Sequence, residues 1–181
     1  MTILLCLPIK KGILIIKTIK AIYLDIIQVD NMKKKKICLI SSSGGHYEQL
    51  RMLAPLAEKY DIFWVTERTK YPSKADYYLL QTGSTDVFFV FKMIFNFFKS
   101  LLIWCKESPD FVVTTGAMVV IPMVFLAKIF KKKVIYIESF ARVYDASKTG
   151  KLMYKYSDLF IVQWDSLKTV YPDAVYGGSI Y

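Results

Sequence analysis

From residue 36 onward, short apolar runs alternate with segments in which apolar residues recur every three or four positions. Residues 36–42 (KICLISS) form an apolar run that closes on small polar side chains, the pattern of a buried strand. In residues 45–59, Leu50, Leu53, Leu56 and Ala57 fall on one helical face. Residues 61–66 (DIFWVT) predict a second strand and 77–80 a short third, followed by a long helix over 87–105. Next come a strand over 110–115, a helix over 119–130 and a strand over 133–137. Pro122 falls in the first turn of that helix, where the amide it lacks would have no helical partner. The remaining pattern predicts a short helix at 150–156, a strand at 158–163, a helix at 165–171 and a last short strand at 174–176. Strands that are apolar throughout and separated by helices imply a parallel sheet covered on both faces. Right-handed crossovers then make it a doubly wound, Rossmann-like α/β fold.

Two segments stand apart. In the helix over 87–105 (VFFVFKMIFNFFKSLLIWC), Lys92, Asn96, Lys99 and Ile103, continued by Lys106, step along one narrow stripe. The rest of its circumference is apolar, more than one sheet contact covers. Phe88, Phe91, Phe95, Phe98, Leu102 and Trp104 are expected partly outside, framed by Lys92 and Lys99. Such a helix rests in a lipid interface, faces another protein, or is buried on all sides. Residues 3–27 are also apolar, but Lys10, Lys11, Lys17, Lys20 and Asp25 interrupt them. They offer neither the unbroken stretch of a signal peptide nor the roughly 20 mostly apolar residues of a membrane span. Residues 1–34 therefore read as a basic apolar leader or an interfacial segment, with Met32 as an alternative translation start. Residues 35–181 read as one Rossmann-like domain.

The length of 181 residues suits one such domain and is too short for two, which together need roughly 300 residues. Hydrophobic residues make up 54%, which excludes a disordered chain. The mean hydropathy of +0.33 fits apolar surface that meets something other than water. The net charge is +10, and residues 1–36 hold eight of the 25 basic and two of the 15 acidic side chains. That balance favours an anionic partner such as a membrane surface or a phosphate. Nucleic acid is not expected, because no helix-turn-helix or RNP signature accompanies the charge. Cys6, Cys38 and Cys105 have no metal spacing and are odd in number, which points to a reducing, cytoplasmic setting. With His46 the only histidine, a zinc site built on several histidines is excluded.

Ligands of a doubly wound sheet bind beyond the carboxyl ends of its strands. There the chain places Ser41-Ser42-Ser43-Gly44-Gly45-His46, Thr114-Thr115-Gly116-Ala117, Glu138-Ser139-Phe140-Ala141-Arg142 and Gln163-Trp164-Asp165. Lysine runs at 33–36 and 131–133 precede strands and belong at the opposite edge. The loop at 41–46 is neither G-x-G-x-x-G nor a P-loop. Its glycines let the backbone approach a ligand, and the helix after it presents free N–H groups, so it is either a phosphate cradle or a tight strand–helix turn. His46 is a candidate general base or hydrogen-bond donor, or a structural residue. Glu138 either orients a sugar hydroxyl or is neutralised by Arg142 four positions on. The absence of the dinucleotide fingerprint, with only Glu67 acidic near the end of the second strand, weighs against the alternative of a self-contained Rossmann enzyme with a nucleotide cofactor.

SSSGGHYEQL at 41–50, TTGAMVVIP at 114–122, IYIESFARV at 135–143, TGKLMYKYSDLFIVQW at 149–164 and YPDAVYGGSI at 171–180 together resemble the acceptor-side subunits of split glycosyltransferases. These are bacterial capsule and exopolysaccharide proteins similar to the membrane-anchoring subunit of the eukaryotic dolichol-linked N-acetylglucosaminyltransferase. The resemblance implies the N-terminal half of a GT-B fold, akin to that of the enzyme that makes lipid II. It implies a polyprenyl-diphosphate-linked sugar as acceptor, met by Ser42, Ser43, Gly44, Gly45, Thr115, Gly116, Ser139 and Arg142, with His46 and Glu138 as catalytic candidates. A separate donor-binding subunit would bring the UDP-sugar, so no cofactor is expected on this chain. The expected location is the cytoplasmic face of the membrane, peripheral or N-terminally anchored. The chain also ends after Gly177-Gly178-Ser179 without the Gly-Asn-Pro hinge of single-chain relatives, which suits a chain that carries only this half.

Overall fold

The strands lie in one parallel, seven-stranded sheet in the order β3-β2-β1-β4-β5-β6-β7. The computed structural model describes residues 34–70, 73–83 and 86–181. In chain order the elements are β1 (Lys36–Ile40), α1 (Gly45–Arg51), β2 (Asp61–Arg68), β3 (Tyr77–Leu80), α2 (Phe89–Glu107), β4 (Phe111–Thr114), α3 (Ile121–Ile129), β5 (Lys133–Ile137), α4 (Lys148–Tyr156), β6 (Leu159–Val162) and β7 (Val175–Tyr176). The leader expected over 1–34 lies outside the described residues apart from Lys34.

The order reverses between β1 and β4, which pair with Ile37 opposite Phe111 and Ile40 opposite Thr114. Each strand feeds side chains alternately to two cores. Cys38, Ile40, Val112, Val134 and Tyr136 pack with Trp104 of α2, Met123 of α3 and Met153 of α4. Ile37, Leu39, Val113, Ile135 and Ile161 pack on the other face with Leu50 of α1, Leu53, Leu56 and Ile180. The amino edge of the sheet is an ion-pair belt: Lys36 meets Glu107 at 3.0 Å and Asp61 at 3.3 Å, Lys132 meets Asp110 at 2.9 Å, and Lys128 and Lys133 share Asp158. Lys36, Lys132 and Lys133 of the two lysine runs thus sit at the expected edge, engaged with carboxylates.

Four expectations are corrected. The helix expected over 45–59 ends at Arg51 and resumes as a 3-10 turn at Ala54–Glu58. Pro55 lacks the amide that a continuous helix needs and disfavours helical geometry in the residue before it. The segment expected as a helix at 165–171 is a 3-10 turn, Asp165–Thr169. The middle of the stripe on α2 faces inward: Asn96 is fully buried and Ile103 nearly so, with Ser100 buried beside them. The Asn96 side chain accepts from Leu80 N at 2.8 Å and donates to Leu80 O at 2.9 Å, satisfying the peptide groups of Leu80 at the end of edge strand β3. Trp104 turns inward as well, at 4% exposure and stacked on Phe130 at 5.3 Å, so it is no surface contact. Phe88, Phe91, Phe95 and Phe98 are 51–72% exposed, as expected. Lys92 pairs with Asp86, Lys99 is half-buried, and Lys106 lies over the Tyr77 ring.

Candidate functional site

At the switch between β1 and β4 the loops after both strands come together, and this crevice is where ligands of such sheets bind. The Ser42 amide donates to Gly116 O at 2.9 Å, which joins the loops through their backbones. Gly44 has φ +75° and ψ −143°, a conformation essentially reserved for glycine, and it turns the chain from β1 into α1. Gly45 needs no such freedom, and a Cβ there would meet open space.

His46 is fixed by a reciprocal pair of bonds. Its Nδ1 lies 2.6 Å from Thr115 O, and Thr115 Oγ1 donates to His46 O at 2.7 Å. A carbonyl only accepts, so Nδ1 carries the proton and Nε2 is the acceptor nitrogen of the neutral ring. That is the tautomer a general base needs. Gly116, at φ +101°, lets the ring pack against the loop: a Cβ there would lie 3.4 Å from His46 Cε1 and 3.2 Å from Tyr136 Oη.

Glu138 belongs to the same edge but lies beneath it. Its carboxylate is fully buried and accepts from Ser139 N at 2.8 Å, Ser147 Oγ at 3.0 Å and Tyr171 Oη at 2.8 Å. Burial, together with this carboxylate, pushes the Tyr136 and Tyr171 hydroxyls far above the usual tyrosine range. Arg142 pairs instead with Asp145 at 2.6 Å, so neither expected role of Glu138 is what the contacts support. The contacts are those of a residue that holds the 139–147 loop on the sheet. Ser139 is nearly buried beside it.

Sequence reasoning did not find the link between these loops. Gln49 Oε1 accepts from Phe140 N at 3.3 Å and from Gln163 Nε2 at 3.0 Å; Gln163 also donates to Glu138 O and accepts from Ile180 N. The one usable signal was that Gln49 follows His46 by three positions, on the same face of α1. Phe140 packs on Trp164 at 4.9 Å and on Tyr181 at 5.4 Å, and Tyr181 Oη reaches Gly45 O at 3.4 Å. Glu67 is buried and accepts from Thr82 N and Oγ1, so it is already engaged where a nucleotide enzyme would need it for a ribose. Among the described residues, no group of His, Cys, Asp and Glu is placed to hold a metal ion, and no helix is long and apolar enough to cross a membrane.

Residues 81–180 match the family described as "Oligosaccharide biosynthesis protein Alg14 like". The chain is 30% identical over 178 residues to the UDP-N-acetylglucosamine transferase subunit ALG14 of Debaryomyces hansenii, covering 81% of this chain and 77% of that one. It belongs to the Alg14 family. The human subunit of the same name is 34% identical over 97 residues, 50% of this chain and 45% of its own length. The rat subunit matches to the same extent, so the chain spans about half the length of these two relatives. The Alg14 match contains Thr115, Gly116, Glu138 and Gln163, while the glycine loop precedes it. Among solved structures, the UDP-N-acetylglucosamine 2-epimerase of Rickettsia bellii superposes with a TM-score of 0.63 at 16% identity, over 82% of this chain and 46% of that one. Acinetobacter baumannii MurG gives 0.57 at 14%, over 73% and 42%. The fold is one half of a GT-B architecture, as expected.

Proposed function

We propose that this Alg14-family chain is the acceptor-side subunit of a heteromeric, membrane-associated glycosyltransferase. Its acceptor is a polyprenyl-diphosphate-linked sugar of capsular or exopolysaccharide synthesis, and a separate donor-binding subunit brings the UDP-sugar. Family membership carries this reading, supported by the meeting of the glycine and Thr115–Gly116 loops at the switch point. The diphosphate lies along Ser42, Ser43, Gly44, Gly45 and Gly116; the Ser42 and Gly116 amides are bonded within the loops, so the amides that approach it are those of Ser43, Gly44 and Gly45. His46 Nε2 takes the proton of the acceptor hydroxyl as that oxygen bonds to the anomeric carbon of the donor. The bond from that carbon to the UDP oxygen of the donor breaks, and UDP departs on the partner, which stabilises its charge. Thr115 holds the base in its tautomer, and Glu138 positions the loop carrying Ser139 and Arg142. The outward phenylalanines of α2 rest on the cytoplasmic face of the membrane.

The test is co-expression with the donor-binding subunit, assaying each chain and the pair for transfer from UDP-N-acetylglucosamine to a lipid-linked acceptor. The pair transfers and this chain alone does not. Full activity from this chain alone would refute the reading.

A further inference from the structure

A groove runs between α2 and α3, outside the crevice just described. Both helices begin at the carboxyl edge of the sheet, α2 after β3 and α3 after β4, so the groove opens at the edge that carries the glycine loop. It is open to the surface along its length and offers about 550 Å3, within the roughly 300–1,000 Å3 of small-ligand sites. Met93 and Phe97 form one wall; Met118, Ile121, Pro122 and Phe125 form the other. No charged side chain is among its described lining residues. Met118 stands two positions after Gly116, whose carbonyl ties down Ser42. Apolar groove and crevice loop are therefore neighbours along the chain as well as along the edge.

Packing explains only the floor of this groove, where Phe97 and Ile121 lie against the core and the Phe97 and Phe125 rings meet with centroids 6.2 Å apart. The face of α2 that meets the sheet is the one with Asn96, Ser100 and Ile103, while Phe125 on the opposite wall is 54% exposed. Bulky apolar residues in contact with water are unfavourable unless something covers them. A flat bilayer surface meets Phe91 and Phe95, which are exposed outside the groove, but not the groove between the two helices. A recess with two apolar walls fits a single hydrocarbon chain, and the flexible Met93 and Met118 adapt to its shape.

We propose that this groove holds the isoprene units nearest the diphosphate of a polyprenyl-diphosphate ligand, leading the tail from the crevice to the lipid phase. The proposal rests on the reading of the chain as an acceptor-side subunit. That ligand needs an anion cradle with an apolar path starting beside it, and the carboxyl edge between β1 and α3 offers both.

The test is photo-crosslinking of the full chain with a diazirine-bearing farnesyl diphosphate, followed by peptide mapping. Label falls on peptides containing Met93–Phe97 and Met118–Phe125, and excess unlabelled farnesyl diphosphate lowers it at least ten-fold. Ile121→Trp, which fills the groove, lowers labelling at least ten-fold while liposome flotation, which reads Phe91 and Phe95, stays unchanged. Phe125→Asp, at a half-exposed position that tolerates polar replacement, gives the same loss if Ile121→Trp fails to fold by circular dichroism. Label scattered over the surface, or unaffected by a folded variant, overturns the proposal. Transfer assays on the pair separate the two readings. An unchanged acceptor KM in a folded Phe125→Asp refutes the groove and leaves the acceptor reading standing. Groove-specific labelling without transfer to any lipid-linked acceptor supports the groove and refutes the acceptor reading.

Discussion

Gly150→Ala sets two effects of opposite sign against each other. Gly150 is the third residue of α4, and on helix propensity alone alanine stabilises by about 1 kcal/mol. The new Cβ, however, would lie 1.9 Å from Glu138 Oε2, 2.5 Å from Tyr171 Oη and 2.7 Å from Ser147 Oγ. None of these contacts is tolerable, and all three atoms belong to the buried carboxylate network. Hydrogen bonds to a charged group are worth about 1.5–3 kcal/mol each, and a buried charge left short of partners adds to the loss. Displacing one or two of them costs about 3–5 kcal/mol, so the net destabilisation is about 2–4 kcal/mol. In a chain of this size that lowers the Tm by about 5–15 °C. Thermal unfolding followed by circular dichroism measures it. Ser147→Ala, which without a clash removes both a donor to Glu138 and the N-cap of α4, lowers the Tm as well. A Tm that rises, or stays within a degree of wild type, would show that helix propensity wins and that the network is loose enough to yield.

Gly44→Ala forces a side chain into left-handed backbone and lowers stability by about 1–3 kcal/mol in urea unfolding, whereas Gly45→Ala leaves it unchanged. Burial pushes the Asp110 and Asp158 carboxyls up, but Lys132 and the Lys36 amide on the first, and the Val134 amide with Lys128 and Lys133 on the second, overcome it and hold both below the usual range. Tyr77 and Lys36 do the same for Glu107. Their folded pKa values are depressed, so this stability is complete above the unfolded value of about 4 and is lost as pH falls through the folded values. A Tm series from pH 6 to 2 shows the fall, and Asp158→Asn makes it shallower. Phe91→Ser and Phe95→Ser release the protein from anionic liposomes in flotation without lowering the Tm, whereas Trp104→Ser destabilises the fold. Rising salt weakens flotation without abolishing it, since each lysine near the surface contributes only about 1 kcal/mol that salt screens.

The sheet was legible because its strands are apolar throughout, and all seven appear within one or two residues of their expected limits. The glycine loop and Thr115–Gly116 met as expected because strand ends at a switch point converge whatever the side chains are. The orientation of α2 was not legible. Periodicity shows that a stripe exists but not which way it faces, and here the free peptide groups of Leu80 draw the polar stripe inward. Trp104 follows from the same inversion. The link of Glu138 to Arg142 rested on their closeness in sequence alone, but in the 139–147 loop Arg142 pairs with Asp145 instead. Gln49 and Gln163 are 114 positions apart, beyond any local pattern.

Asn96 also decides what can happen at the β3 end of the sheet. An outermost strand with open amides and carbonyls is a template on which a second chain can extend the ladder, the first step of edge-to-edge aggregation. The carboxamide of Asn96 occupies both groups of Leu80 and imitates the next strand there. A molecule that displays a row of phenylalanines beside that edge is thereby protected from growing into a fibril at the place where its own stickiness would gather copies together. Removing the amide by Asn96→Leu would keep the volume and lose the protection, and the defect would surface as concentration-dependent association before any loss of fold.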